Sequence, residues 1–114
     1  MALAVLSCGW FVLMFDTRWV PAGMGTIPEI PPGSWVIVDR WASGLRVGSD
    51  VFVATPHGVL LSRVSRLTAD EVEITHPNRR SGWVDSAVFG PLPRANVQAT
   101  VVAVFRPDED DDGR

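Results

Sequence analysis

The sequence predicts a mainly β protein, a small barrel or folded sheet, with an apolar membrane-anchor helix at its N-terminus. Three observations carry this expectation. Short runs rich in Val, Ile, Phe, Trp and Thr recur after residue 33, with Gly, Pro, Asn and Asp between them. No window after residue 20 repeats its apolar residues at the period of an amphipathic helix. Residues 2–15, ALAVLSCGWFVLMF, hold no charged side chain before Asp16.

That first run spans roughly 21 Å at helical rise, short of a bilayer core of about 30 Å. Thr17, Trp19 and Val20 extend it, and an interfacial Trp is a common anchor. The anchor is therefore placed at residues 1–19, ahead of a β domain at 20–107 and an acidic tail at 108–114. A secretory signal segment is the rival, but the run lacks a basic start and a small-residue cleavage site. A buried core helix is the other. Cys8, the single cysteine, excludes an intramolecular disulfide and reads as an apolar filler.

After the proline-rich bend at residues 28–33, SWVIVDRW reads as the first strand of the body. ASGLRVGS is a turn-rich connection to a second strand, DVFVAT. PHG, residues 56–58, forms a tight turn into VLLSRVSRL. There Leu60, Ser62 and Val64 share one face, and Val59, Leu61, Arg63 and Ser65 the other. EVEITH alternates cleanly, PNRRSGWVDS is a polar loop, and ANVQATVVAVF is a long last strand. The tail PDEDDDGR reads as a solvated end.

With 114 residues, 46% of them hydrophobic, the chain has material for one modest core. All ten basic residues are Arg, and the net charge is −3. Scattered arginines on an acidic chain leave no basic stripe for nucleic acid. No cofactor and no metal are expected from any motif.

The strongest local signature is DSAVFGPLPRANVQATVVAVFRP, residues 85–107, preceded by Asn78. An Asp-Ser pair ahead of an aromatic-Gly-Pro turn, and a strand ending in an aromatic and Pro, resemble the last box of type I signal peptidases. PPGSWVIVDR resembles the segment after that family's nucleophile, with Ser34 in place of the usual Asp. VGSDVFVATP resembles its Gly-Asp strand, and LSRVSRL the box holding its catalytic Lys and neighbouring Arg. The boxes stand in the family's order behind an apolar start, so the resemblance covers nearly the whole chain.

The resemblance implies a signal-peptidase-like β-fold that is membrane-anchored in a single pass, with the β domain on the extracytoplasmic face. It implies cleavage of secretory precursors by a Ser hydroxyl activated by a neutral Lys, or by a His in endoplasmic-reticulum relatives. Neither half of that pair stands in place. PAGMGT puts Gly23 or Met24 at the nucleophile position, and Ser62 stands at the base position, in a chain without any Lys. Arg63 cannot replace it, because a guanidinium stays protonated. The remaining substitutes are Thr26 as hydroxyl and His57 or His76 as base. Asn78, Asp85 and Ser86 match supporting residues of the family's site, and Asp85 is expected to pair with Arg63 or Arg79.

Retained supporting residues without the pair imply a signal-peptidase-like protein that binds extended peptide and does not cleave by the family mechanism. Its expected partners are an extended peptide or secretory precursor, the membrane and an active paralogue. Two alternatives stand beside it. One is an active, divergent processing protease using Thr26 or a Ser with His57 or His76. The other is an unrelated small β binding module.

Overall fold

A computed structural model describes residues 14–107. Its strands are β1 (Phe15–Trp19), β2 (Trp35–Asp39), β3 (Asp50–Thr55), β4 (Gly58–Leu67), β5 (Glu71–Thr75), β6 (Leu92–Pro93) and β7 (Val97–Phe105). They form one seven-stranded sheet in the order β1-β2-β7-β3-β4-β5-β6, and every pairing is antiparallel. The mainly β expectation holds in the form of an open sheet, with β1 and β6 at its two edges, not a closed barrel.

The strand at residues 50–55 lies where the sequence places it. The next begins one residue earlier, at Gly58, because Thr55 pairs with Gly58 across the two-residue turn Pro56-His57. Gly58 takes φ +104, a conformation open to glycine and strained for other residues. Two expectations change. Residues 15–19 are strand instead of the end of an anchor helix, because Phe15 to Trp19 pair residue by residue with Asp39 to Trp35. The last strand starts at Val97 instead of Ala95, after a short 3-10 turn at Arg94–Asn96. A single helical turn, α1 (Ser86–Phe89), adds a helical element the periodicity does not announce.

No helix among the described residues is long and apolar enough to cross a membrane. The expected anchor's residues 1–13 and the acidic tail at 108–114 lie outside the described residues.

Both faces of the central strands are covered. On β3, Phe52 joins one cluster with Val20, Ile27, Ile30, Val36, Val38, Leu61 and Ala99. Its neighbours Val51 and Val53 join a second with Val64, Val72, Ile74 and Leu92. Successive strand residues point to opposite faces, so β3 serves a core on each side. Segment 20–30 lies over the first core, while Leu45 and Phe89 pack against the second. Each fully buried Val, Leu or Ile contributes on the order of 1.5–3 kcal/mol.

One stretch of sheet stays uncovered. Trp19 pairs with Trp35, and Trp35 with Phe105, so three aromatics stand side by side on β1, β2 and β7. Each is about half exposed, and the two indoles meet edge to face with centroids 5.1 Å apart.

Candidate functional site

The site grows from the register of β4 and β5. Arg63 pairs with Thr75 and Val64 with Ile74, but the next pair is Arg66 with Glu73. Ser65 is therefore an extra residue on β4, a β-bulge. Continuing the register beyond Arg63 and Thr75 sets Ser62 opposite His76, and directly opposed residues share a face. Their side chains meet: Ser62 Oγ lies 2.7 Å from His76 Nε2. Ser62 is fully buried and His76 is 3% exposed.

The other imidazole nitrogen fixes the proton positions. His76 Nδ1 is 3.2 Å from the carbonyl oxygen of Trp83, which can only accept. Nδ1 therefore carries the hydrogen in the neutral ring, and Nε2 presents a lone pair to the Ser62 hydroxyl. Ser62 donates, and His76 accepts.

Segment 76–86 is built to hold this arrangement. Asn78 caps a 3-10 turn at Arg79–Ser81 by accepting from the Arg80 N–H, and it donates to the Gly25 carbonyl at 2.6 Å. Gly82 closes the turn in the left-handed region, at φ +79. Asp85 then caps α1, accepting from the Ala87 N–H at 3.0 Å and from the His76 N–H at 3.3 Å. The Ser86 oxygen accepts from the buried Ile74 N–H at 2.8 Å.

Facing it is the loop of Gly23 and Met24, where the resemblance places a nucleophile. The Leu61 N–H donates to Met24 Sδ, and Thr26 Oγ1 donates to the Leu61 carbonyl, so residues 24–26 sit against β4 one step from Ser62. The Asn78 N–H donates to the Thr26 carbonyl at 2.8 Å, fastening the loop from the other side. Trp83 closes the circuit, with its indole Nε1 donating to the Gly23 carbonyl at 2.7 Å. A side chain at residue 23 would meet open space, since no atom lies within 4 Å of where its Cβ would stand. Beside His76 a surface hollow of about 250 Å³ is lined by Trp83, Val84, Asp85, Ala87 and Val88 among others.

Of the residues expected from the sequence, Gly23, Met24, Thr26, Ser62, His76, Asn78, Asp85 and Ser86 are drawn into this one neighbourhood. Three assignments change. Thr26 is fully buried with its hydroxyl committed to Leu61, and so does not face a substrate. His57 stands in the exposed β3–β4 turn, with its ring 6.2 Å from that of Phe89, and takes no part in the site.

Arg63 is the third. It points to the face opposite Ser62, where its Nε donates to Asp50 at 2.8 Å and its Nη2 to Glu29 at 2.7 Å. The expected Asp85 pairing with Arg63 does not form. The hydrogen bonds it donates to Asp50 and then to Glu29 hold the Arg63 guanidinium above its ordinary pKa, while the bond from Arg63 pulls the Glu29 carboxyl below its own. This bridge ties segment 20–30 to β3 and β4 beneath the site.

Trp83 is the residue that sequence reasoning missed. A large aromatic inside the polar loop PNRRSGWVDS, between Asn78 and Asp85, is the signal that points to it, because a half-buried indole N–H needs an acceptor. Among the described residues no group of three His, Cys, Asp or Glu is placed to hold a metal ion.

No protein-family model matches the chain, and no curated protein matches it in sequence.

Proposed function

We propose that this chain is a signal-peptidase-like protein that binds extended peptide and does not cleave it by the family's serine–lysine mechanism. The observation that carries the reading is the seating of the Gly23–Thr26 loop on Leu61. The resemblance calls for positions 23 and 62 on neighbouring segments, and the bonds from the Leu61 N–H to Met24 Sδ and from Thr26 Oγ1 to the Leu61 carbonyl support it. Neither position holds the chemistry: residue 23 has no side chain, and residue 62 is a hydroxyl already bonded to an imidazole.

A peptide lying over Gly23 crosses open surface and passes the hollow beside His76. The Val84, Ala87 and Val88 lining of that hollow suits small apolar side chains. The half-exposed row Trp19, Trp35 and Phe105 supports a place at a membrane surface, where amphipathic rings sit at headgroup level. An active paralogue that cleaves what this chain holds is part of the same proposal.

Titration of the purified full chain with a peptide carrying Ala at alternate positions, followed by Trp fluorescence and mass spectrometry, tests it. Saturable binding with the peptide left intact is expected. Cleavage of the peptide, or no binding up to about 1 mM, where association is worth only about 4 kcal/mol, overturns it.

A further inference from the structure

The Ser62–His76 contact has the components of an activated nucleophile, in a place where the family resemblance puts a base and no nucleophile. A hydroxyl 2.7 Å from an imidazole lone pair, with the ring's second nitrogen tied to an acceptor, is the arrangement that lets serine attack a carbonyl. Here the orienting group is the main-chain carbonyl of Trp83 rather than a carboxylate. It fixes the tautomer in the same sense, since a carbonyl cannot donate.

Ser62 is nonetheless fully buried, so the pair is closed as it stands. The strands around it are held by the unbroken β3–β4 ladder and by the β4–β5 ladder, which is interrupted at Ser65. Trp83 lines the hollow beside His76 and belongs to no ladder; it is a half-buried residue of the 79–85 loop whose indole is fastened to Gly23 by one exposed hydrogen bond. A single exposed bond of that kind is a weak tether. Releasing it frees the indole between the Gly23 loop and the hollow beside His76. That hollow, about 250 Å³, is room for a small acyl group, as each water in the liquid takes ~30 Å³.

We propose that Ser62 and His76 form a latent acyl-transfer centre for carboxylic esters with a small acyl group, and that the Trp83 indole is its cover. Ser62 Oγ attacks the ester carbonyl carbon and passes its proton to His76 Nε2. Collapse of the adduct breaks the bond to the alkoxide, which leaves as the alcohol with that proton. Water, deprotonated by His76, then releases the acid and regenerates the hydroxyl. Only Ser62, His76 and Trp83 are used, so this proposal stands or falls apart from the peptide-binding reading.

A fluorophosphonate probe tests it on the purified full chain, because its phosphorus takes the serine oxygen and loses fluoride in one step. Tandem mass spectrometry locates the adduct. Ser62 is expected to be labelled slowly in the parent chain and at least ten times faster in Trp83→Ala. His76→Gln in the Trp83→Ala background is expected to lower that rate about 100-fold, the range of general-base assistance. Ser62→Ala is expected to abolish the adduct. Trp83→Phe keeps an aromatic ring, smaller than the indole, and loses the bond to Gly23; it carries the same expectation if Trp83→Ala does not fold. Labelling of Ser62 unchanged by either Trp83 variant overturns the cover. No adduct on Ser62 in any folded variant, or one indifferent to His76→Gln, overturns the centre.

Discussion

Ser62 and His76 face each other because of one extra residue between them and the far end of the β4–β5 ladder. With Ser65 paired in the ladder instead of bulged out of it, the Arg66–Glu73 register would run on unbroken, and His76 would oppose Arg63 on the other face. The bulge thus decides whether the imidazole meets a hydroxyl in the second core or a guanidinium beside Glu29 and Asp50.

The Ser62–His76 bond is expected to carry stability as well as chemistry. Ser62→Ala leaves the His76 Nε2 lone pair buried without its donor, which costs about 1–3 kcal/mol. Changing both partners to apolar groups, Ser62→Ala with His76→Phe, removes most of that penalty. Urea denaturation of the two single variants and the double variant checks the coupling, and strict additivity would mean that the bond contributes nothing.

The imidazole also stands where a lysine at residue 62 would extend. Gly23→Ser meets open space and is expected to be tolerated, whereas Ser62→Lys overfills a buried position and costs about 1–3 kcal/mol. Adding His76→Ala makes room, and the triple variant is expected to regain stability over Gly23→Ser with Ser62→Lys. Cleavage of a precursor peptide is expected only from the triple variant. Thermal melts and a peptide digest separate the outcomes.

Ser86 holds the main chain of β5. Its oxygen accepts from the buried Ile74 N–H. Ser86→Ala orphans a buried N–H and is expected to cost about 1–3 kcal/mol. Ser81→Ala, on the nearby 3-10 turn, is expected to stay within about 0.5 kcal/mol. Chemical denaturation of the pair measures the difference.

Acid is expected to loosen the segment beneath the site. The bond from Arg63 lowers the Glu29 carboxyl in the folded chain, so its contribution is complete above the ordinary glutamate range and fades as the pH falls through and below it. Arg63 stays charged throughout, because its own shift is upward. Arg63→Met is expected to lower stability at neutral pH and to flatten its decline in acid. High salt is expected to weaken the parent chain's advantage, since Glu29 is exposed. Denaturation midpoints against pH, at low and high salt, check all three.

How much of this was legible in the chain depends on how local its cause is. DVFVAT and VLLSRVSRL declare themselves because β-rich residues flank a turn that Gly58 closes, all within a few positions. Residues 15–19 do not. FDTRW continues an apolar run, and only pairing with Trp35–Asp39, far along the chain, makes it a strand. The site splits the same way. Asn78, Asp85 and Ser86 stand out through the likeness of DSAVFGPLP and the Asn ahead of it to one family box. The meeting of Ser62 with His76 does not, because the bulge at Ser65 leaves the polar and apolar pattern of LSRVSRL undisturbed. Arg63 was assigned to Asp85 for want of that register; Asp50, directly across the ladder, is its partner.

β7, the last of the described strands, lies between β2 and β3 in the middle of the sheet. During synthesis the β1–β2 hairpin and the β3–β4–β5 meander can each form early, but no sheet pairing joins them before residues 97–105 have left the ribosome. Until then both expose the strand sides that β7 will occupy, a state open to wrong partners. The sheet is therefore in two parts until β7 enters, and that strand acts as the closing step of its assembly.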